Sequence, residues 1–248
     1  MNPPAKQNTD ILSSEAHVWL VTPESISDSA ILQYCHEILD PDERSKVDRF
    51  LHPRDSHSYL VSHAMVRSVL SRYAAIAPSD WRFSHGKHGR PEIACENQAR
   101  LRFNLTHTNG LAACIVTNND KCGIDAERLK DRTNPLGVAK RMFSSHEHEQ
   151  LQKYEGTAFL KYFYERWTLR EAYVKALGIG ISFPTRQLRF NVVKEKIDIT
   201  FDDAIDDSED NWEFRLIQPD TEHIVALALH RCAGARKRIC VKPFDFRP

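Results

Sequence analysis

Twice along its 248 residues the chain runs through one succession: a long helix pattern, a mixed strand, a polar turn, then a small-and-apolar strand. In the first half the spacing predicts an amphipathic helix over 55–75, where Leu60, Ala64, Val66, Val69, Leu70 and Tyr73 fall mostly three or four apart. Apolar runs at 101–105 and 111–116 follow, joined by THTNG, whose Asn109-Gly110 is a hairpin signal. In the second half a helix is expected over 158–177, stopped by Gly178, and the strands WEFRLI and HIVALAL follow. A repeat of this kind constrains the fold to class α/β (α+β), with two similar lobes, each a small sheet packed against a long helix. The lobes are expected to be related by a pseudo-twofold axis, with the active site in the cleft between them. The division falls near Asn118 to Lys121, giving lobes 1–118 and 119–248.

Smaller elements fill the frame. VWLV (18–21) reads as a strand, 28–39 as a helix, and Asp40-Pro41-Asp42-Glu43 as the capped start of another, with a loop at Pro53. WRFSHGKHGRP (81–91) reads as a basic loop, CGID as a short strand, and helical patterning returns at 135–143 and from Ser145. LRFNVV is a further strand, followed by the acidic DDAIDDSED. The closing HRCAGARKRICVKPFDFRP is expected to be a solvated terminus, with a docking tail for an acidic partner as its alternative.

Composition excludes several classes of function. With 41% hydrophobic residues the chain can build a core, and 34 basic against 34 acidic residues leave no whole-chain field for nucleic acid or anionic lipid. No base-reading motif appears, and the apolar runs are far shorter than the roughly 20 residues that span a bilayer. The expectation is therefore a cytoplasmic protein with no nucleic-acid or membrane partner. The six cysteines contain no C-x-x-C pair, and the histidines no H-E-x-x-H, so reduced thiols and no zinc clip are expected.

Asp125 and Glu127 lie two apart after an apolar run, so in an extended segment both project from one face. Paired hard oxygens suit magnesium, and a solvated strand end is the alternative. On the expected helix over 158–177, Trp167, Glu171 and Lys175 succeed one another four apart and share a side. A Glu171–Lys175 surface pair is one reading. The helix carries so much apolar surface that a metal and a phosphate are the other. His107, between Thr106 and Thr108, is by itself a loop histidine of open role.

Taken together, these stretches resemble a 4'-phosphopantetheinyl transferase of the larger, monomeric type. The resemblance rests on G89-R90-P91, F103-N104-L105-T106-H107, G123-I124-D125-A126-E127, R141-M142-F143-S144 and W167-T168-L169-R170-E171-A172-Y173-V174-K175, in that order. It implies transfer of 4'-phosphopantetheine from coenzyme A to a serine of an apo acyl, peptidyl or aryl carrier protein, with release of adenosine 3',5'-bisphosphate. It implies that Asp125, Glu127 and Glu171 hold magnesium, that Lys175 and His107 meet phosphate, and that Glu171, Lys175 and His107 are catalytic. Thr106 stands where a serine is common. Arg54 matches a basic residue near the 3'-phosphate, and Gly89, Arg90 and Pro91 match a loop at the adenine end. Arg90 and Arg170 each stand where a lysine is usual, which keeps charge and changes geometry. Two other readings use the same residues: a metal-dependent phosphohydrolase, and a noncatalytic module that binds coenzyme A or a carrier protein.

Overall fold

The computed structural model describes residues 10–95, 100–130, 134–180, 183–231 and 236–246. The chain divides into two compact units, Met1–Asn119 with Lys237–Pro248, and Asp120–Arg236. The end of the chain is thus a correction to the expectation that all of 119–248 forms one lobe. The last residues return to the first unit, where strand pairing offers backbone groups a partner that a solvated tail lacks.

In the first unit, β1 (Glu15–Val21) is followed by α1 (Ser29–Ile38), α2 (Pro41–Arg49) and the long α3 (Pro53–Leu70). Then come the hairpin β2 (Phe83–His85) and β3 (Pro91–Ile93), and the hairpin β4 (Leu101–Thr108) and β5 (Leu111–Asn118). The expected bend THTNG is shorter than it reads, because pairing of Thr108 with Leu111 leaves only Asn109 and Gly110 to turn the chain. Asp40 accepts from the Glu43 N–H while the Glu43 side chain accepts from the Asp40 N–H, a full capping box that starts α2. Pro53, expected in a loop, is the first residue of α3, where its missing N–H is no loss. α3 ends at Leu70 rather than 75, the Ser71 N–H capping on Arg67.

The sheet of this unit has the order β11-β1-β5-β4, where β11 (Arg238–Pro243) pairs parallel with β1 in the register His17 to Cys240. The face of α3 carrying Val61, Ala64, Met65, Val69 and Leu70 is buried in a core shared with Trp19, Cys114, Phe103 and Phe244. Each of the Val, Leu, Met and Phe side chains among them contributes roughly 1.5–3 kcal/mol on burial.

The second unit repeats the order of elements. β6 (Cys122–Arg128) leads to the short helices α4 (Pro135–Met142) and α5 (Ser145–Leu151), then to the long α6 (Gly156–Leu177). The hairpin β7 (Leu188–Val193) and β8 (Lys196–Phe201) precedes β9 (Trp212–Ile217) and β10 (His223–His230). Strand order is β6-β10-β9, all antiparallel, with Asp125 opposite Ala226 and Glu127 opposite Ile224. β8 had no counterpart in the sequence reading, since KIDITF is a weak alternation bounded by charges. α6 is buried on two sides, Leu169, Ala172, Tyr173 and Ala176 in one core with Trp212 and Phe214, and Phe163 and Tyr164 in another with Phe143 and Leu151. Among the described residues no helix is long and apolar enough to cross a membrane.

Candidate active site

β6 and α6 approach one another to backbone contact at Gly123. A methyl group built there would lie 1.9 Å from the Ala172 carbonyl oxygen and 2.6 Å from the Ala176 nitrogen, so only glycine permits the approach. Two residues further on, Asp125 faces the helix and is 7% exposed. The Lys175 ammonium donates to its Oδ1 at 2.6 Å. Glu127, the next residue on that face, accepts at Oε1 from the Trp167 indole N–H at 3.0 Å. Trp167 and Lys175 therefore both turn toward β6, and Glu171, four residues from each, lies on the stripe between them. Asp125 is buried and Glu127 half-buried on β6, the half-buried Glu171 lies on the helix stripe between Trp167 and Lys175, and the Lys175 ammonium stands against Asp125.

Lys175 thus pairs with the strand carboxylate, across the helix–strand junction. The Trp167 to Glu127 bond was not anticipated, although the shared side of Trp167 and Glu171 was its visible trace.

Arg170, next to Glu171, points away from this edge. It is buried, with Nε donating to the Met142 carbonyl at 3.1 Å, Nη1 to Arg166 at 3.0 Å, and Nη2 to Leu188 at 2.9 Å and to the Glu147 carboxylate. Burial pulls its pKa below the ordinary guanidinium value while Glu147 opposes that pull. Glu147 is also the third residue of the capping box that Ser144 begins on α5, and it accepts the Phe190 N–H at 2.9 Å. Four directed partners explain arginine at this position, because an ammonium offers no planar fork.

In the first unit the expected basic loop is a hairpin. The Gly86 N–H donates to the Arg90 carbonyl and the Gly89 N–H to the Gly86 carbonyl, with Gly89 at φ +80°, a conformation that side chains rarely adopt. Gly89, Pro91 and the exposed His107 line a cavity of about 600 Å³, together with Tyr59, His63 and Glu43 from α2 and α3. The Arg90 guanidinium reaches the Phe103 carbonyl at 3.5 Å, and Thr106 is buried on β4 beside His107. Arg54 is half exposed at the start of α3, where it pairs with Glu24 at 3.2 Å, and it does not line that cavity. A second cavity, of about 630 Å³, lies in the second unit by α5, β7 and β8 and contains none of the sequence-derived site residues.

Two family models match this chain in sequence. One described as the 4'-phosphopantetheinyl transferase superfamily covers residues 121–228, and one described as 4'-phosphopantetheinyl transferase, N-terminal, covers 27–119. The chain is 32% identical to the 4'-phosphopantetheinyl transferase HetI of a Nostoc species, across 72% of this chain and 75% of that protein. It is 35% identical to the 4'-phosphopantetheinyl transferase Sfp of Bacillus subtilis, across 59% of this chain and 63% of that protein. Of solved structures, holo-[acyl-carrier-protein] synthase of Thermotoga maritima aligns with a TM-score of 0.36 at 20% identity, over 48% of this chain and 64% of the other, too loose a likeness to carry an argument.

Proposed function

This chain belongs to the 4'-phosphopantetheinyl transferase family and is a transferase, and from that premise we propose that it moves the phosphopantetheine arm of coenzyme A onto a serine of an apo carrier protein. The observation that carries the proposal is the β6–α6 junction. There Gly123 lets strand and helix touch, and Asp125 and Glu127 face the stripe of Trp167, Glu171 and Lys175.

The donor set fits magnesium. Three carboxylates are hard oxygen ligands, and the ammonium already against Asp125 marks an edge that takes a cation. Asp125, Glu127 and Glu171 would hold the ion, which when bound supplies positive charge to the pyrophosphate of coenzyme A. In the reaction the serine oxygen bonds to the β-phosphorus as the bond to adenosine 3',5'-bisphosphate breaks, and Glu171 takes the serine proton. Lys175 offsets charge on the departing phosphate. Trp167 fixes the orientation of Glu127. We further propose a monomer acting in the cytoplasm, whose specific activity stays constant on dilution.

The test is an intact-mass measurement on an apo carrier protein incubated with the enzyme, coenzyme A and magnesium. A phosphopantetheine mass gain on the acceptor, with adenosine bisphosphate formed only when the acceptor is present, supports transfer. Adenosine bisphosphate released without an acceptor supports the phosphohydrolase reading instead. Neither product supports the binding module. Asp125→Ala should lower the rate by about a hundredfold, or about 2.7 kcal/mol, and shift its magnesium dependence. An unchanged rate in a folded variant would remove Asp125 from the site.

A further inference from the structure

In the first unit Glu15 and His17, two residues apart, and Cys240, far along the chain, each offer a ligand atom, and these atoms all lie within 4.8 Å of one another. We infer that these three side chains form a binding site for a single thiophilic divalent cation of the zinc class, separate from the carboxylates of the transfer reaction.

The ligand set is one carboxylate oxygen, one imidazole nitrogen and one thiol sulfur, a mixture that zinc accepts and magnesium does not. The strands bring it about. β1 and β11 run parallel with His17 opposite Cys240, so the imidazole and thiol arise from paired positions, and Glu15 projects from the same face two residues earlier. Glu15 and His17 are buried and Cys240 is half-buried on the last strand of the sheet, which leaves a path for an ion to enter.

The surroundings already do what an outer shell does. Because the Glu15 carboxylate can only accept, the His17 Nε2–H donates to its Oε2 at 2.7 Å, and the neutral ring's Nδ1 accepts from the Tyr73 hydroxyl at 2.6 Å, whose oxygen accepts the Trp19 indole N–H at 2.8 Å. The Cys240 thiol donates to the same Oε2 at 3.2 Å, and Arg238 holds the other oxygen of Glu15. Nε2, Sγ and Oε2 are therefore held together by two protons. An ion takes their place: the thiol proton leaves to solvent as the sulfur–metal bond forms, and the imidazole changes tautomer so that its proton sits on Nδ1 and is donated as a hydrogen bond to the Tyr73 oxygen, whose own hydroxyl proton rotates away from Nδ1.

Two cations stand near. Arg238 belongs to Glu15, and the Lys242 ammonium is 3.3 Å from Nδ1 and 3.4 Å from Nε2 of His17. Their field opposes a dication. Binding must therefore come from the thiolate bond, which selects a soft ion over a hard one.

The experiment titrates Cd²⁺ into the full chain in excess magnesium and follows cadmium–thiolate charge-transfer absorption in the near ultraviolet, with Zn²⁺ as competitor. The expected result is a band saturating at one equivalent, displaced by Zn²⁺, lost in C240S and retained in a C95S/C232S double variant. E15Q should weaken binding at least about tenfold, and Y73F, through the His17 orientation, about tenfold. Absence of a saturable band in the parent chain overturns the inference, as does a band that survives in C240S. If C240S does not fold, E15Q decides, and parental affinity in that variant overturns the site.

Discussion

In both units a buried arginine on the long helix is tied to the third-residue glutamate of a short helix's capping box, Arg67 to Glu43 in the first and Arg170 to Glu147 in the second. Both guanidiniums also reach backbone carbonyls, Arg67 those of Trp81 and Pro78, Arg170 those of Met142, Arg166 and Leu188. The ties differ in their seal. The side chains of Asp40 and Glu43 are 26% and 13% exposed beside the 600 Å³ cavity, whereas Glu147, although it borders the 630 Å³ cavity, is 1% exposed. The long helices differ as well. α3 sends Arg67 and His63 to the Glu43 carboxylate of α2, whereas α6 also sends Trp167 and Lys175 to the carboxylates of β6. One architectural device serves twice, and the second helix adds a stripe directed at a strand.

The largest effect should come from cutting the sealed tie. Arg170→Met leaves Glu147 buried without its cation and should cost about 3–5 kcal/mol, while Arg67→Met should cost less because water reaches Asp40 and Glu43. Denaturant unfolding of the two variants measures this, and equal losses would break the distinction between sealed and open ties. Lys175→Met keeps the stem and removes the charge. It should lower catalytic efficiency roughly tenfold to a thousandfold, about 1.4–4 kcal/mol, and steady-state rates within a factor of two of the parent would return Lys175 to a purely structural pair with Asp125.

Gly123→Ala tests the close approach itself. Its methyl meets helix backbone rather than a flexible side chain, so separation of β6 from α6 should cost about 1–3 kcal/mol, with transfer activity falling together with melting temperature. A stable, fully active G123A would show that the junction tolerates a wider gap. The smallest effects belong to the caps, where Ser144→Ala and Asp40→Ala should each lose about 1 kcal/mol. A clear excess for Asp40→Ala would measure its added ion pair with Arg67.

Much of this was legible along the chain. The start of α2, the stop of α6 at Gly178, the β4–β5 turn and the two-residue spacing of Asp125 and Glu127 follow from caps, turn residues and side-chain periods that act within a few residues. Arg170 could be noticed but not understood, because three of its four partners come from α5, β7 and the end of α4. The hairpin of β2 and β3 was hidden by its basic composition, and β8 by a weak alternation.

Local grammar is written along the chain: which segments are helical or extended, where they begin and end, and which charged residues share a face. Tertiary structure alone decided that Lys175 meets Asp125, 50 residues away, and that the tail returns as β11 to place Cys240 against Glu15 across 225 residues. Periodicity and capping are short-range and leave their mark in neighbouring residues. The choice between distant strands is settled by which apolar faces cover one another and which backbone groups find partners, and no local pattern records it.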